Sequence, residues 1–171
     1  NGKEETTTLT LIPAVRKVTS LPLMAAGGIG SGEAMFAAMA LGADGVQVGS
    51  RFAISEESSA NPEFKKLVIG LGEGDTKLAL KKIGAVRLIK NEFFQMINKM
   101  EQEGASADDL RVMLGRGRAK LGIFEGDLEK GELEIGQVAS LINEILPVET
   151  IMKNMIQEYN EAKERMNKLE I

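Results

Sequence analysis

Apolar and polar positions alternate along this chain with more than one period, and the period changes mark its elements. Leu9, Ile12, Val15 and Val18 recur at near-helical spacing within TTTLTLIPAVRKV. The threonines before them offer cap hydroxyls, and Pro13 is tolerated only near a helix start, so a helix is predicted from about Leu11. Ser20-Leu21-Pro22 ends it. Leu23–Ala26 is short, apolar and uninterrupted, which predicts a strand buried on both faces in a parallel sheet. The loop GGIGSG covers 27–32. Glu33–Leu41 is rich in Ala and Met and reads as a helix closed by Gly42. Asp44–Val48 reads as the next strand, leaving through Gly49-Ser50. The order strand, loop, helix, strand builds parallel sheets.

Beyond Ser55 the pattern is mostly helical. Pro62–Gly70 reads as a short helix, and 70–75 as a turn-rich break. Lys77–Gly104 reads as one or two helices with Leu88, Ile89, Phe93, Met96, Ile97 and Met100 as a core stripe. Ala107–Leu114 follows with Ser106 as its N-cap. A glycine-punctuated charged stretch runs from 115 to 136. Gln137–Leu146 reads as a helix broken by Pro147. A charged helix spans 149–169, with an apolar stripe of Met152, Met155, Ile156, Tyr159, Ala162 and Met166. The predicted division is 1–56, holding strands and glycine turns, and 57–171, a helical region completing the same domain. The fold class is α/β. Two strands cannot hide their own apolar faces, and a complete eight-stranded barrel takes about 250 residues. The chain is therefore expected to be the C-terminal part of a TIM (β/α)8 barrel followed by a mostly helical segment.

Composition narrows the function. The chain of 171 residues carries a net charge of −4, which argues against nucleic-acid partners. No run of about 18 apolar residues predicts a membrane span. With no cysteine and no signal-peptide pattern, a cytoplasmic location is expected. No His/Cys cluster suggests a transition-metal site, although carbonyl binding of a monovalent cation stays open. The absence of histidine removes the commonest general base.

The candidate chemistry lies in the two glycine turns. Glycines at a strand end let backbone N–H groups converge on an anion, because no Cβ blocks the approach. The helix that follows adds favourable potential. Gly27-Gly28 follows one strand and Gly49-Ser50 the next, with the Ser50 hydroxyl as a further donor. GIGSGE fits the dinucleotide fingerprint poorly, and tight helix–strand packing remains the alternative to a phosphate site. Asp44 reads as part of a strand-entry turn. Arg87 and Lys90 face either a substrate or nicotinamide entrance or solvent. GRGRAK (115–120) is either a phosphate contact or a solvated loop.

AAGGIGSGEAMFAAMALGADGVQVGSRF resembles the FMN phosphate-binding segment of the nitronate monooxygenase family, formerly the 2-nitropropane dioxygenases, which includes flavin-dependent enoyl-ACP reductase II enzymes. GAVRLIKNEF and FEGDLEKGELEIGQVASLI look like the reductase branch. The resemblance covers nearly the whole chain. It implies a TIM-barrel flavoprotein with non-covalent FMN, in which Gly27, Gly28, Gly49 and Ser50 hold the phosphate and Ala26 and Gln47 line the pocket. It implies oxidation of nitronates, or reduction of enoyl thioesters with NAD(P)H, Arg87 facing the substrate. An acyl carrier protein and a homodimer are possible partners. The family's general base, a histidine, would lie upstream of Asn1, so no catalytic residue is expected within the chain. The alternative is a non-catalytic fragment or phosphate-binding scaffold.

Overall fold

A computed structural model describes residues 6–170. These form two compact units, Thr6–Glu57 with 146–170 and Ser58–Ile145. Sequence reading assigned all of 57–171 to one region. The helix after Leu146 belongs instead with the first unit, because its inner face packs there.

In the first unit, helix α1 spans Thr8–Arg16, strand β1 Met24–Ala26, helix α2 Gly32–Ala40, strand β2 Gly45–Gln47 and the single turn α3 Ser50–Ala53. Helix α1 begins three residues before the predicted start and holds Pro13 inside. That placement deprives only the Leu9 carbonyl of its partner, and Leu9 is exposed. β1 and β2 pair in parallel, with Met24 opposite Gly45, Ala25 opposite Val46 and Ala26 opposite Gln47. Ile12, Ala25, Ile29, Ala38 and Ala43 form the core on the helix side. The other face of β1, Met24 and Ala26, is exposed, so burial on both faces is not seen among the described residues of this unit.

The pairing is pinned at the strand entries. Asp44 accepts the Leu23 N–H at 2.7 Å and an Arg16 Nη2 hydrogen at 2.5 Å, while its own N–H donates to the Leu23 carbonyl at 2.8 Å. Arg16 Nε donates to the Gly42 carbonyl at 2.7 Å and Nη1 to the Leu21 carbonyl at 3.2 Å. The Leu23 N–H and then Arg16 hold the Asp44 carboxyl below its ordinary range. Asp44 thus belongs to the strand entry, where sequence reading put it.

The last helix of this unit, designated α7, spans Val148–Asn167. Both oxygens of Glu57 accept the Val148 N–H at its start, at 3.0 and 2.9 Å. α7 crosses α2 at Gly32. A Cβ there would collide with the Met155 carbonyl, the Tyr159 nitrogen and, at 2.6 Å, the Glu158 Cβ. Phe36 and Tyr159 meet edge to face with centroids 5.5 Å apart. Of the predicted stripe, Met155 and Ala162 are buried with Ile151, while Met152, Ile156 and Met166 are exposed.

The second unit carries helix α4 (Pro62–Ile69), strands β3 (Thr76–Ala79) and β4 (Val86–Ile89), and helices α5 (Glu92–Gln102) and α6 (Ala107–Leu114). The stretch predicted as one or two helices is an antiparallel hairpin followed by a single helix; Thr76 pairs with Ile89 and Ala79 with Val86. Leu133 and Ile135 bond along β4 as a third edge, since the Ile89 N–H donates to Leu133 and the Ile135 N–H to Arg87. Leu88 and Ile89 are consecutive on β4 and both buried, so the strand is covered on both faces there, whereas Phe93 and Ile97 are buried at the i, i+4 spacing of one helix face. Ser106 caps α6 in a reciprocal box with Asp109. Gln137–Leu141 forms a short 3-10 turn rather than the predicted helix to Leu146.

Gly32→Ala is expected to lower stability by roughly 1–3 kcal/mol despite alanine's better helix propensity, because the added methyl meets helix backbone rather than a movable side chain. Urea denaturation checks this; an unchanged or raised midpoint would contradict the helix crossing.

Candidate functional site

The register places Ala26 beside Gln47, so both strands end at one level and the turns that leave them are neighbours. Gly27 and Gly28 have φ of +97° and +74°. These angles are open to glycine and strained for other residues. Ala26, Gly27, Gly28, Gln47 and Gly49 are exposed, and Ser50 is half-buried. A Cβ on Gly49 would meet nothing within 4 Å, and one on Gly27 only the Thr8 hydroxyl oxygen at 3.8 Å. The edge therefore has room for a group that comes close to the backbone. Ser50 opens α3, directly after β2.

The start of α2 behaves differently from the sequence expectation. Ser31 caps it by accepting the Ala34 N–H at 3.3 Å. The Gly32 N–H donates to Glu158 Oε2 of α7 at 2.6 Å. A carboxylate of the chain itself already answers the positive end of this helix. With the Gly32 N–H taken by Glu158, the two strand-end turns are the candidate place for an external anion. Sequence reading missed Glu158, which lies 126 positions from Gly32.

Sequence reading also missed Thr8. Its hydroxyl donates to the Gly27 carbonyl at 2.9 Å, tying the first turn of α1 to the glycine turn. The run of three threonines was visible, but only the fold selects one.

Arg87 lies in the second unit, on β4 rather than on a helix. Its Nη1 donates to the Thr76 carbonyl and hydroxyl, both at 3.3 Å. In GRGRAK, Arg118 is committed to structure. It donates to the Leu114 carbonyl at 2.9 Å and the Lys130 carbonyl at 3.0 Å, and its guanidinium lies 4.8 Å from the Phe93 ring centre. Lys120 pairs with Glu125 at 3.0 Å. An open groove of about 320 Å³ runs along Leu114–Arg118, Leu121 and Glu125. Nearby, Glu132 is 7% exposed. Burial, then Glu134, push its carboxyl up to about 7 against an opposing pull from Arg118.

The strand pair with glycine turns on one edge and helices on the other side defines an α/β unit of the kind that presents strand ends to a ligand. The nitronate monooxygenase family model matches residues 1–158, and the chain belongs to that family. It is 31% identical over 158 residues to a probable nitronate monooxygenase of Staphylococcus aureus, covering 90% of this chain and 43% of that protein. It is similar in structure to FabK from Thermotoga maritima, with TM-score 0.89, 37% identity, and coverage of 96% of this chain and 52% of that one. Nitroalkane oxidase from Streptomyces ansochromogenes gives TM-score 0.76 at 25% identity, over 93% and 45% of the two chains. The chain thus spans about half the length of the relatives it matches.

Glu132 stays protonated in the folded chain up to about pH 7, whereas the unfolded chain ionises it near 4.5. The folded-state contribution is full below the lower value and is lost as pH rises through the higher one. Glu132→Gln is expected to be more stable than wild type by roughly 1–3 kcal/mol at pH 8, with the gap closing toward pH 4.5. Denaturation at both pH values checks it; equal stability at pH 8 would contradict the burial argument.

Proposed function

We propose that this chain is the phosphate-holding portion of an FMN-dependent oxidoreductase, the C-terminal part of a (β/α)8 barrel. The observation that carries the reading is the pair of glycine turns at adjacent parallel strand ends, set in register by Ala26 and Gln47. Family membership supports it. In barrels, the loops after the last two strands form a frequent phosphate site.

In this reading, Gly27 and Gly28 offer backbone N–H groups from one side, and Gly49 and Ser50 close the other. Ala26 and Gln47 form the floor between the turns. Glu158 occupies the α2 N-terminus, which keeps the phosphate on the strand-end edge. FMN, when bound, supplies the redox chemistry between two substrates. The protein's part is to hold the phosphate, orient the flavin and exclude misplaced substrate. Arg87 is the residue proposed to face the substrate or the nicotinamide of NAD(P)H. The substrate is a nitronate or an enoyl thioester, and the likeness to FabK favours testing enoyl thioesters. The reading places the enzyme in the cytoplasm, with an acyl carrier protein and a second copy of itself as candidate partners.

Gly28→Asp puts a side chain and a negative charge where the phosphate is held, at a φ of +74°. FMN affinity is expected to fall at least 100-fold, because like charge and lost backbone approach act together. Flavin fluorescence titration measures this. Wild-type affinity in the variant would remove the site assignment, and anaerobic bleaching by NAD(P)H or by a nitronate would then separate the two substrate classes only for a site elsewhere.

A further inference from the structure

We infer that Thr8 is a positioning residue that sets which way the Gly27–Gly28 peptide faces, and so aims the Gly28 N–H at the phosphate. The inference rests on the FMN-phosphate reading above. A peptide between two glycines is the one most free to flip, because neither neighbour has a Cβ to oppose it. Both glycines here sit at positive φ, and no peptide bond among the described residues is cis. In a trans peptide the carbonyl and the next N–H point in opposite directions. The Thr8 hydroxyl holds the Gly27 carbonyl at 2.9 Å on the α1 side. The Gly28 N–H of the same plane therefore faces away from α1.

The hydroxyl has no competing task at the helix start. Thr7 is the N-cap residue of α1 and makes no side-chain cap bond. Thr7 Oγ1 lies 3.3 Å from Thr10 Oγ1. Thr8, at the first helical position, reaches 19 positions along the chain to the glycine turn. α1 is anchored at its other end by Arg16, bound to the Gly42 carbonyl and to Asp44. The helix therefore spans from the strand entries to the strand exit. It holds the turn on a rigid element rather than leaving it to loop entropy.

The test measures FMN and riboflavin affinities side by side, by flavin fluorescence, for wild type, Thr8→Val and Thr8→Ser. Riboflavin lacks the phosphate, so the ratio of the two affinities isolates the phosphate contact. Thr8→Val keeps the branched shape and removes the donor. It is expected to weaken FMN about tenfold and leave riboflavin unchanged, while Thr8→Ser keeps wild-type FMN affinity. Thr8→Val binding FMN as wild type does, or losing both flavins equally, would overturn the positioning role while leaving the phosphate reading intact. A wild type that binds FMN no tighter than riboflavin would instead remove the phosphate reading, and this inference with it.

Discussion

The first unit depends on one constraint, the register of two strands only three residues long. So short a pair has few ladder bonds of its own to resist slippage. Asp44 supplies what the ladder lacks. It joins the Leu23 backbone on one strand entry to its own N–H on the other, and Arg16 ties both to the Gly42 carbonyl and to α1. A slip of one residue would move Ala25 out of the core and turn Ala26 away from Gln47. It would also part the two glycine turns. Local electrostatics at one end of the strands therefore sets the geometry offered at the other.

The second constraint is the crossing of α2 and α7. Backbone meets backbone at Gly32, and Glu158 takes up the N–H that a bound anion would otherwise use. In many strand–loop–helix phosphate sites the helix start is part of the cradle. Here the chain fills that place with its own carboxylate. Under the proposed function, this leaves the phosphate to the turns of Gly27-Gly28 and Gly49-Ser50, with Thr8 holding the first turn from behind. The glycines of GGIGSG thus serve different ends. Gly27 and Gly28 meet a backbone conformation, and Gly32 meets a neighbouring helix.

Much of this unit was legible in the sequence because glycine and serine act locally. The strand, turn, helix and strand order follows from residues within a few positions of one another, as does the Ser106 cap of α6. The hairpin of β3 and β4 was not legible. TKLA and VRLI mix apolar and long charged residues over four positions, too few to separate a period of two from 3.6. Their strand character comes from pairing with each other and with Leu133–Ile135. The second face of β1 is expected to be covered by a larger parallel sheet, and among the described residues of this unit β1 has only β2 beside it, in a chain that spans about half the length of its relatives. Glu158 and Thr8 are ordinary residues by type, and only contacts across 126 and 19 positions give them their parts. Pro13 alone does not fix the start of α1 at Leu11, because the helix carries it inside Thr8–Arg16, where the carbonyl it leaves unpaired belongs to an exposed residue, Leu9.

The central claim is that a phosphate is held by two strand-end turns and not by the start of α2. Backbone amide shifts from 15N-labelled protein, recorded with FMN and with riboflavin, test it most directly. The account predicts that FMN, relative to riboflavin, moves the amides of Gly27, Gly28, Gly49 and Ser50 while Gly32 and Ala34 stay in place. Movement at Gly32 and Ala34, with Gly49 and Ser50 unchanged, would contradict it and put the anion on the helix that Glu158 is argued to close.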